Sequence, residues 1–342
     1  MMKRGEQIAT GAIWLYAALT ATWLLLRLLL GDSVWWLALL NAFAPFFFVP
    51  LAILLPLARL IQKRAYWIVA TIPTVIFLLL YGGQFLPRPN HFTEQEETFS
   101  MMSFNVWGWS QSQETARVIR DEGLPDVVLL QELGPQMAKT VLAEVGDVYP
   151  YRLLEPQEGY RGMGILSRHP LRKINAEELT TSSWWRIQIA EVTFDDQSFV
   201  LYHCHPEGTN LLYLLEANLP IPDEVQAGFD ARERMMHALK ADIEKRGQPA
   251  IVAGDFNTTD QSEAYRILTE DLQEVHRAVG WGFGHTFPAY AGSFRGIPIL
   301  PRQMRLDMVC YTSELMALSS RVGTAHGESD HLPVIVEMGW RD

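Results

Sequence analysis

The chain has 342 residues, 49% of them apolar, with 28 Lys/Arg against 39 Asp/Glu and a net charge of −11. That length allows one large domain or two smaller ones. Two cysteines exclude a disulfide framework and a CxxC metal site, and the acidic balance runs against a nucleic-acid binder, whose basic footprint neutralises phosphates.

Residues 11–30 and 34–60 each carry one charge, Arg27 and Arg59, and residues 66–86 carry none. A bilayer core about 30 Å thick needs roughly 20 apolar residues of helix, so the sequence predicts three transmembrane helices. Pro45, Pro50 and Pro56 are tolerable in the second and predict a kink. A cleaved signal peptide is disfavoured, because no small-x-small site follows Leu30 and two more spans come next. Lys3 and Arg4 precede the first span, and Arg59, Lys63 and Arg64 lie between the second and third. The positive-inside rule puts both groups in the cytoplasm, which leaves everything after about residue 87 outside it. Arg27 reads as a snorkelling anchor.

Residues 87–99 form a polar tether, and 100–342 a separate domain. Residues 1–90 hold seven Lys/Arg and two Asp/Glu, so 91–342 holds 21 basic against 37 acidic side chains, a net −16. Short apolar runs predict strands near 100–106, 126–131, 162–167, 187–194, 198–204, 250–254, 306–312 and 333–337. Helical patterns occupy 111–122, 134–145, 230–246 and 261–270, and the mixture indicates an α/β or α+β domain. Cys204 and Cys310 fall within strand runs and read as buried thiols, with one disulfide left open. Residues 206–229, rich in leucine, fit neither strand nor ordinary loop.

Polar residues gather where these apolar runs end or begin: Asn105, Glu132, Tyr160, His205, Asp255, Asn257, Asp307, Asp330 and His331. Each has a plain explanation as a cap or turn residue, Asp255 and Asn257 in IVAGDFN included. Caps alone do not explain so many in one chain. In a continuing strand, Asp255 and Asn257 would share a face. A hard divalent cation such as Mg²⁺ takes a few carboxylate or amide oxygens, which Glu132 and Asn105 can provide. A histidine beside acids can activate water, while a second histidine, an amide and a phenol can donate to a developing phosphorane. Rival motifs are weaker. His203 and His205 share a strand face but lack a third zinc ligand. Ser329-Asp330-His331 lacks a GxSxG elbow. GWGFG at 280–284 lacks the P-loop lysine and reads as a flexible rim loop.

FNVWG, LLQE, EGYRGMGILSR, HP after a strand, GDFN, RLD and SDH follow in order across 100–338. In this the chain resembles the endonuclease/exonuclease/phosphatase superfamily with the deoxyribonuclease I-like fold, and its N-terminus is similar to the bacterial membrane-anchored branch. The resemblance implies a four-layer αββα sandwich of two mixed β-sheets, preceded here by the three transmembrane helices. It further implies a Mg²⁺ site (Mn²⁺ as the alternative) on Glu132, with Asn105 beside it and Asp330 completing it. His331 resembles the family's general base, held by Asp307. His205 and Asn257 would stabilise the phosphoryl transition state, Tyr160 would hold the phosphate, and Asp255 would protonate the leaving oxygen or position the water; the resemblance leaves open which of Asp255 and His331 is the base. Trp107 stands where abasic-site nucleases carry an acid, and NxWG looks more like the sphingomyelinase-like branch.

The expected protein is a bacterial inner-membrane, multi-pass phosphohydrolase. Its partners are a phosphoester substrate and the lipid bilayer, with nucleic acid disfavoured. The rivals are a metal-dependent nuclease and a non-catalytic membrane scaffold. Leu211, Leu212, Tyr213, Leu214, Leu215 and Leu219 are expected either to form an apolar wall beside the phosphate site or to pack as a short helix on the domain.

Overall fold

In the computed structural model the described residues are 4–61, 64–86, 97–108, 114–176, 179, 185–194, 196–209, 211–290, 292–294, 297–300 and 303–341. Packing divides the chain into two compact units, 1–86 with 261–263, and 87–260 with 264–342.

The first unit contains α1 (Arg4–Leu30), α2 (Trp35–Ala42), α3 (Leu51–Ile61) and α4 (Arg64–Tyr81). Two stretches, Thr10–Leu30 and Tyr66–Phe85, are long and apolar enough to cross a membrane. The expected second span is not one helix: Trp35–Ala42 and Ala44–Leu60 meet at a 68° bend. Pro45 opens the 3-10 turn Ala44–Phe48 and Pro50 precedes α3, and a proline ring without an N–H interrupts the α-helical ladder. The unit therefore offers two spans, or three if the bent pair counts as one. Tyr16 donates its hydroxyl to the Phe47 carbonyl at 2.8 Å, the internal satisfaction that a broken helix needs in hydrocarbon. Leu28, Leu60 and Leu79 are at least 74% exposed, an outer surface suited to lipid.

The second unit carries β1 (Thr98–Asn105), β2 (Val127–Gln131), β3 (Tyr151–Glu155), β4 (Met163–Ser167), β5 (Leu171–Lys173), β6 (Ile187–Phe194) and β7 (Gln197–Cys204). It continues with β8 (Ala250–Asp255), β9 (Gln273–Glu274), a β10–β11 hairpin (Gly292–Phe294, Ile297–Leu300), β12 (Asp307–Tyr311), β13 (Leu315–Val322) and β14 (Val334–Trp340). One sheet runs β13-β14-β1-β2-β4-β3 and the other β5-β6-β7-β8-β12-β9. Each is antiparallel except at one central parallel pair, β1 with β2 and β7 with β8. Both sheets are therefore mixed.

Three apolar cores define the layers. Phe99, Met101, Leu129, Leu201, Ile251 and Val336 meet between the sheets. Met102, Val128, Ile119 and Val141 pack the first sheet on the helices Glu114–Asp121 and Pro135–Val145. Tyr202, Val252, Met235 and Ile267 pack the second on the helices Ile221–Arg246 and Glu263–Thr269. The order helix, sheet, sheet, helix is the αββα sandwich. Cys204 and Cys310 are free and buried in the last of these cores.

Candidate active site

The site grows out of strand alternation. On the face that meets the other sheet, β1 places Phe99, Met101, Ser103 and then Asn105. β7 places Phe199, Leu201 and His203, with His205 just beyond, and β8 places Ile251, Ala253 and Asp255. Each row turns from apolar to polar at the carboxyl end of a parallel strand, a usual position for functional groups in sheets of this kind. β12 runs antiparallel, so its first residue, Asp307, arrives at the same end, directly opposite Asp255.

Backbone geometry then re-aims three side chains. Trp107, Glu132 and Asn257 have φ of 56°, 61° and 48°, a region that L-residues occupy sparingly and that clusters at functional sites. Glu132 follows Gln131 directly and would point to the opposite face of a continuing strand. Instead its carboxylate accepts from Asn105 Nδ2 at 3.1 Å and from the Gly108 N–H at 3.0 Å. Two close backbone approaches need glycine: a Cβ on Gly108 would lie 2.0 Å from the Gly159 carbonyl, and one on Gly254 (φ 145°), within β8, 1.9 Å from that of Cys204.

Asn105 ties the sheets together, donating Nδ2 to Asp255 at 2.9 Å as well as to Glu132, while its Oδ1 accepts from the Trp107 N–H. His205 Nε2 lies 3.7 Å from both Glu132 Oε1 and Asp255 Oδ2. His331 Nδ1 pairs with Asp307 Oδ2 at 2.8 Å, and its Nε2 faces Asp255 at 3.8 Å. These six side chains thus converge. Asp330 stands beside them and hydrogen-bonds through its backbone carbonyl to Ala289. Tyr160 sits at the rim, its hydroxyl donating to Glu207 at 3.4 Å. Of the two readings open for Asn257, the turn is the one observed. β8 ends at Asp255, and Asn257 turns back, its N–H capping Asp255 Oδ1 at 2.8 Å and its amide donating to the Pro206 carbonyl. The local form is an Asx-type turn, not a continuing strand.

Burial raises Asp255 to about 7, with Asp307 adding to the effect and the His331 charge opposing it. Burial pulls His331 down, but Asp307 and Asp255 outweigh it and hold the imidazolium up to about 10. Burial, with the Arg186 and His331 charges, drives His205 well below its ordinary value, so it is neutral. Burial also raises Asp330, and Glu132 adds to the rise.

Glu132, Asp255, Asp307 and Asp330 outnumber the buried cations around them, and their donors are hard oxygens with no thiolate near. That set fits a hard divalent cation such as Mg²⁺ or Mn²⁺. Asp255, Asp307 and His331 also come within 4.8 Å of one another. The short His331–Asp307 hydrogen bond marks that trio as an oriented imidazole instead of a ligand set.

A family model described as Endonuclease/Exonuclease/phosphatase family matches residues 102–331. The chain belongs to this family. Its members are metal-dependent hydrolases of phosphoester bonds, and the chain is such an enzyme by membership. Among solved structures, D. rerio TDP2 complexed with a single-strand DNA product is 22% identical, covering 71% of this chain and 100% of that one at a TM-score of 0.54. A family protein from Bacteroides vulgatus (16%, 72% and 100%, TM-score 0.53) and truncated Caenorhabditis elegans TDP2 (16%, 71% and 98%, TM-score 0.52) share the fold. No curated protein matches the chain by sequence.

Sequence reading missed three residues at the site of this family member. Arg186 is buried opposite His205, stacks 4.7 Å over the Tyr160 ring, and keeps Nε and Nη2 without hydrogen-bond partners. Pairing β6 with β7 as a hairpin would have found it, since Ile187 faces Cys204. Ser329 donates to the Asn105 carbonyl at 2.6 Å and accepts from the His331 N–H, joining the segments that carry Asn105 and His331. Thr286 accepts from the backbone of Leu306 and Asp307. Ser329 opens the SDH motif but its bridging role has no local signal, and no local motif announces Thr286.

Proposed function

We propose that this enzyme is a membrane-anchored phosphodiesterase that hydrolyses a lipid or head-group phosphodiester through metal-assisted attack of water. The observation that carries the catalytic part is the cross-sheet convergence of Asn105, Glu132, Asp255, His205, Asp307 and His331. Glu132, with Asp330 and Asn105 beside it, would hold the cation; Asn105 Oδ1 keeps a second lone pair for the purpose. When bound, the cation supplies charge to the phosphoryl oxygens and lowers the pKa of water. Asp255, poised near neutrality, takes the proton of the attacking water. His331, kept cationic by Asp307, would donate to the phosphoryl group and pass its Nε2 proton to the leaving oxygen, with neutral His205 and the Arg186 guanidinium, which lies 3.7 Å from Glu207, as further donors. The sequence leaves open which of Asp255 and His331 is the base, and the charge states favour Asp255. Tyr160 holds the phosphate from the rim, and the Asn257 amide shapes the turn that carries Asp255.

Two features support a lipid substrate. The same chain carries two or three apolar helices, and the net −16 of residues 91–342 repels polyanions while promising little counterion release. We place the domains at 1–86, 87–99 and 100–342, as the sequence suggests. The segment Leu211–Glu216 is helical, Leu214 packs inward, and Leu215 is 60% exposed; the side chains of Leu211, Leu212 and Tyr213 lie outside the described residues. A second reading, hydrolysis of nucleic acid, draws on the D. rerio neighbour with its DNA product. The test replaces Leu215 and Leu219 by Ser and compares a lipid phosphodiester with a small chromogenic one. A loss confined to the lipid supports the reading; equal losses return the helix to a packing role.

A further inference from the structure

Four polar side chains lie sealed between the sheets, one layer beneath the catalytic groups: Ser103, Gln131, Gln188 and His203, none more than 3% exposed. They form a continuous line. Gln131 Nε2 donates to Ser103 Oγ at 3.2 Å and reaches His203 Nε2 at 2.7 Å; His203 Nδ1 lies 3.2 Å from Gln188 Oε1; Gln188 Nε2 donates to the Leu153 carbonyl at 3.4 Å. The amide donor of Gln131 requires a lone pair on Nε2, so the ring proton sits on Nδ1 and points to Gln188. Burial keeps the ring neutral, pushing its pKa down to about 3. The line runs from the first sheet to the second and back, through β1, β2, β7, β6 and β3.

Each of three members is tied covalently to a catalytic group. Ser103 stands two residues before Asn105 on one strand face, His203 two before His205, and Gln131 immediately before Glu132. The first sheet supplies Asn105 and Glu132, and the second supplies His205, Asp255 and Asp307. Apolar contacts between sheets are non-directional and tolerate sliding, whereas hydrogen bonds fix both distance and angle. The 2.9 Å bond from Asn105 to Asp255 and the 3.7 Å approach of His205 to Glu132 both cross the gap between sheets, so they depend on that register. Gln131 Oε1 is buried with no hydrogen-bond partner, so the layer is kept at a cost in stability. We propose that the Ser103–Gln131–His203–Gln188 line is a positioning device that sets the register of the two sheets beneath the metal and phosphate site, with Gln131 and His203 as its central positioning residues.

The inference rests on the proposed metal site, and its test separates the two. The full chain carrying Gln131→Leu and His203→Leu is compared with wild type for Tm, for Mn²⁺ affinity by paramagnetic resonance titration, and for kcat and KM on a chromogenic phosphodiester. The proposal expects Tm at or above wild type, Mn²⁺ affinity down by about 10–100-fold, and kcat down by up to about 10²-fold with KM little changed. His203→Asn, which retains a donor and an acceptor, should recover part of the affinity. A lowered Tm with wild-type Mn²⁺ affinity and kcat would make the layer ordinary core and overturn the proposal, as would unchanged affinity and kcat at any Tm. Gln131→Met, which removes the amide at similar volume, gives the same reading should the double variant not fold. Mn²⁺ binding that survives Glu132→Gln would refute the metal assignment instead, and the kcat comparison still reads the register.

Discussion

Asp307 shares a buried 2.8 Å hydrogen bond with His331, and the charge it holds there decides how the site handles protons. His331 is raised to about 10 and Asp255 to about 7. If Asp255 is the base, activity is lost as pH falls through its pKa; if His331 is the acid, activity is lost as pH rises through its own. A bound cation lowers both values, so the limbs lie at or below these pH values. Asp307→Asn removes the carboxylate that holds His331 up and should move the alkaline limb of kcat/KM to lower pH, with a smaller shift of the acid limb because Asp307 also raises Asp255. Movement of the acid limb alone would make His331 the base and reverse the assignment. His331→Ala should lower turnover by roughly 10²–10⁴-fold with Mg²⁺ saturating and the fold intact. A near-wild-type rate would remove it from the mechanism.

At the scale of elements, strands with a fully apolar inner row were legible from sequence, as were their polar ends; the β8 run IVAGD and the β12 run DMVCY are examples. β13 was not, because LMALSSRV lies at a sheet edge and breaks its apolar run at Ser319, Ser320 and Arg321; β3 and β5 are short edge strands whose composition resembles loop. The 206–229 segment hid a helix start. Pro222 occupies an early position of Ile221–Arg246, where its missing N–H costs nothing, and Asp223 and Glu224 suit the positive end of the dipole. For Asn257 the sequence leaves a continuing strand and an Asx-type turn both open, because a left-handed turn at a non-glycine residue leaves no periodic trace. Asn257→Ala therefore acts first on the turn: it should cost stability and lower kcat on the order of 10²-fold, since Asp255 is held by that turn. Asn257→Asp, which keeps the αL preference, should keep more stability than Asn257→Ala; equal stability in the two would remove the turn from the account.

For the whole molecule, topology depends on the bent pair. Three crossings keep Arg59, Lys63 and Arg64 in the cytoplasm and the catalytic domain outside; a re-entrant pair would put those basic residues outside, against the positive-inside rule. A reporter active only outside the cytoplasm should therefore work when fused after Asp342 and be silent within 62–65, and the opposite pattern would make the substrate cytoplasmic. The acidity of residues 91–342 was legible at once and bears on substrate choice more directly than the fold does, because the same sandwich serves several phosphoesters. The most direct measurement is hydrolysis by the full chain in liposomes, comparing a lipid phosphodiester with single-stranded DNA, each with Mg²⁺ and with chelator. The account predicts cleavage of the lipid in preference to DNA, abolished by chelation and by Glu132→Gln. Faster cleavage of DNA, or lipid cleavage that survives both, would contradict it.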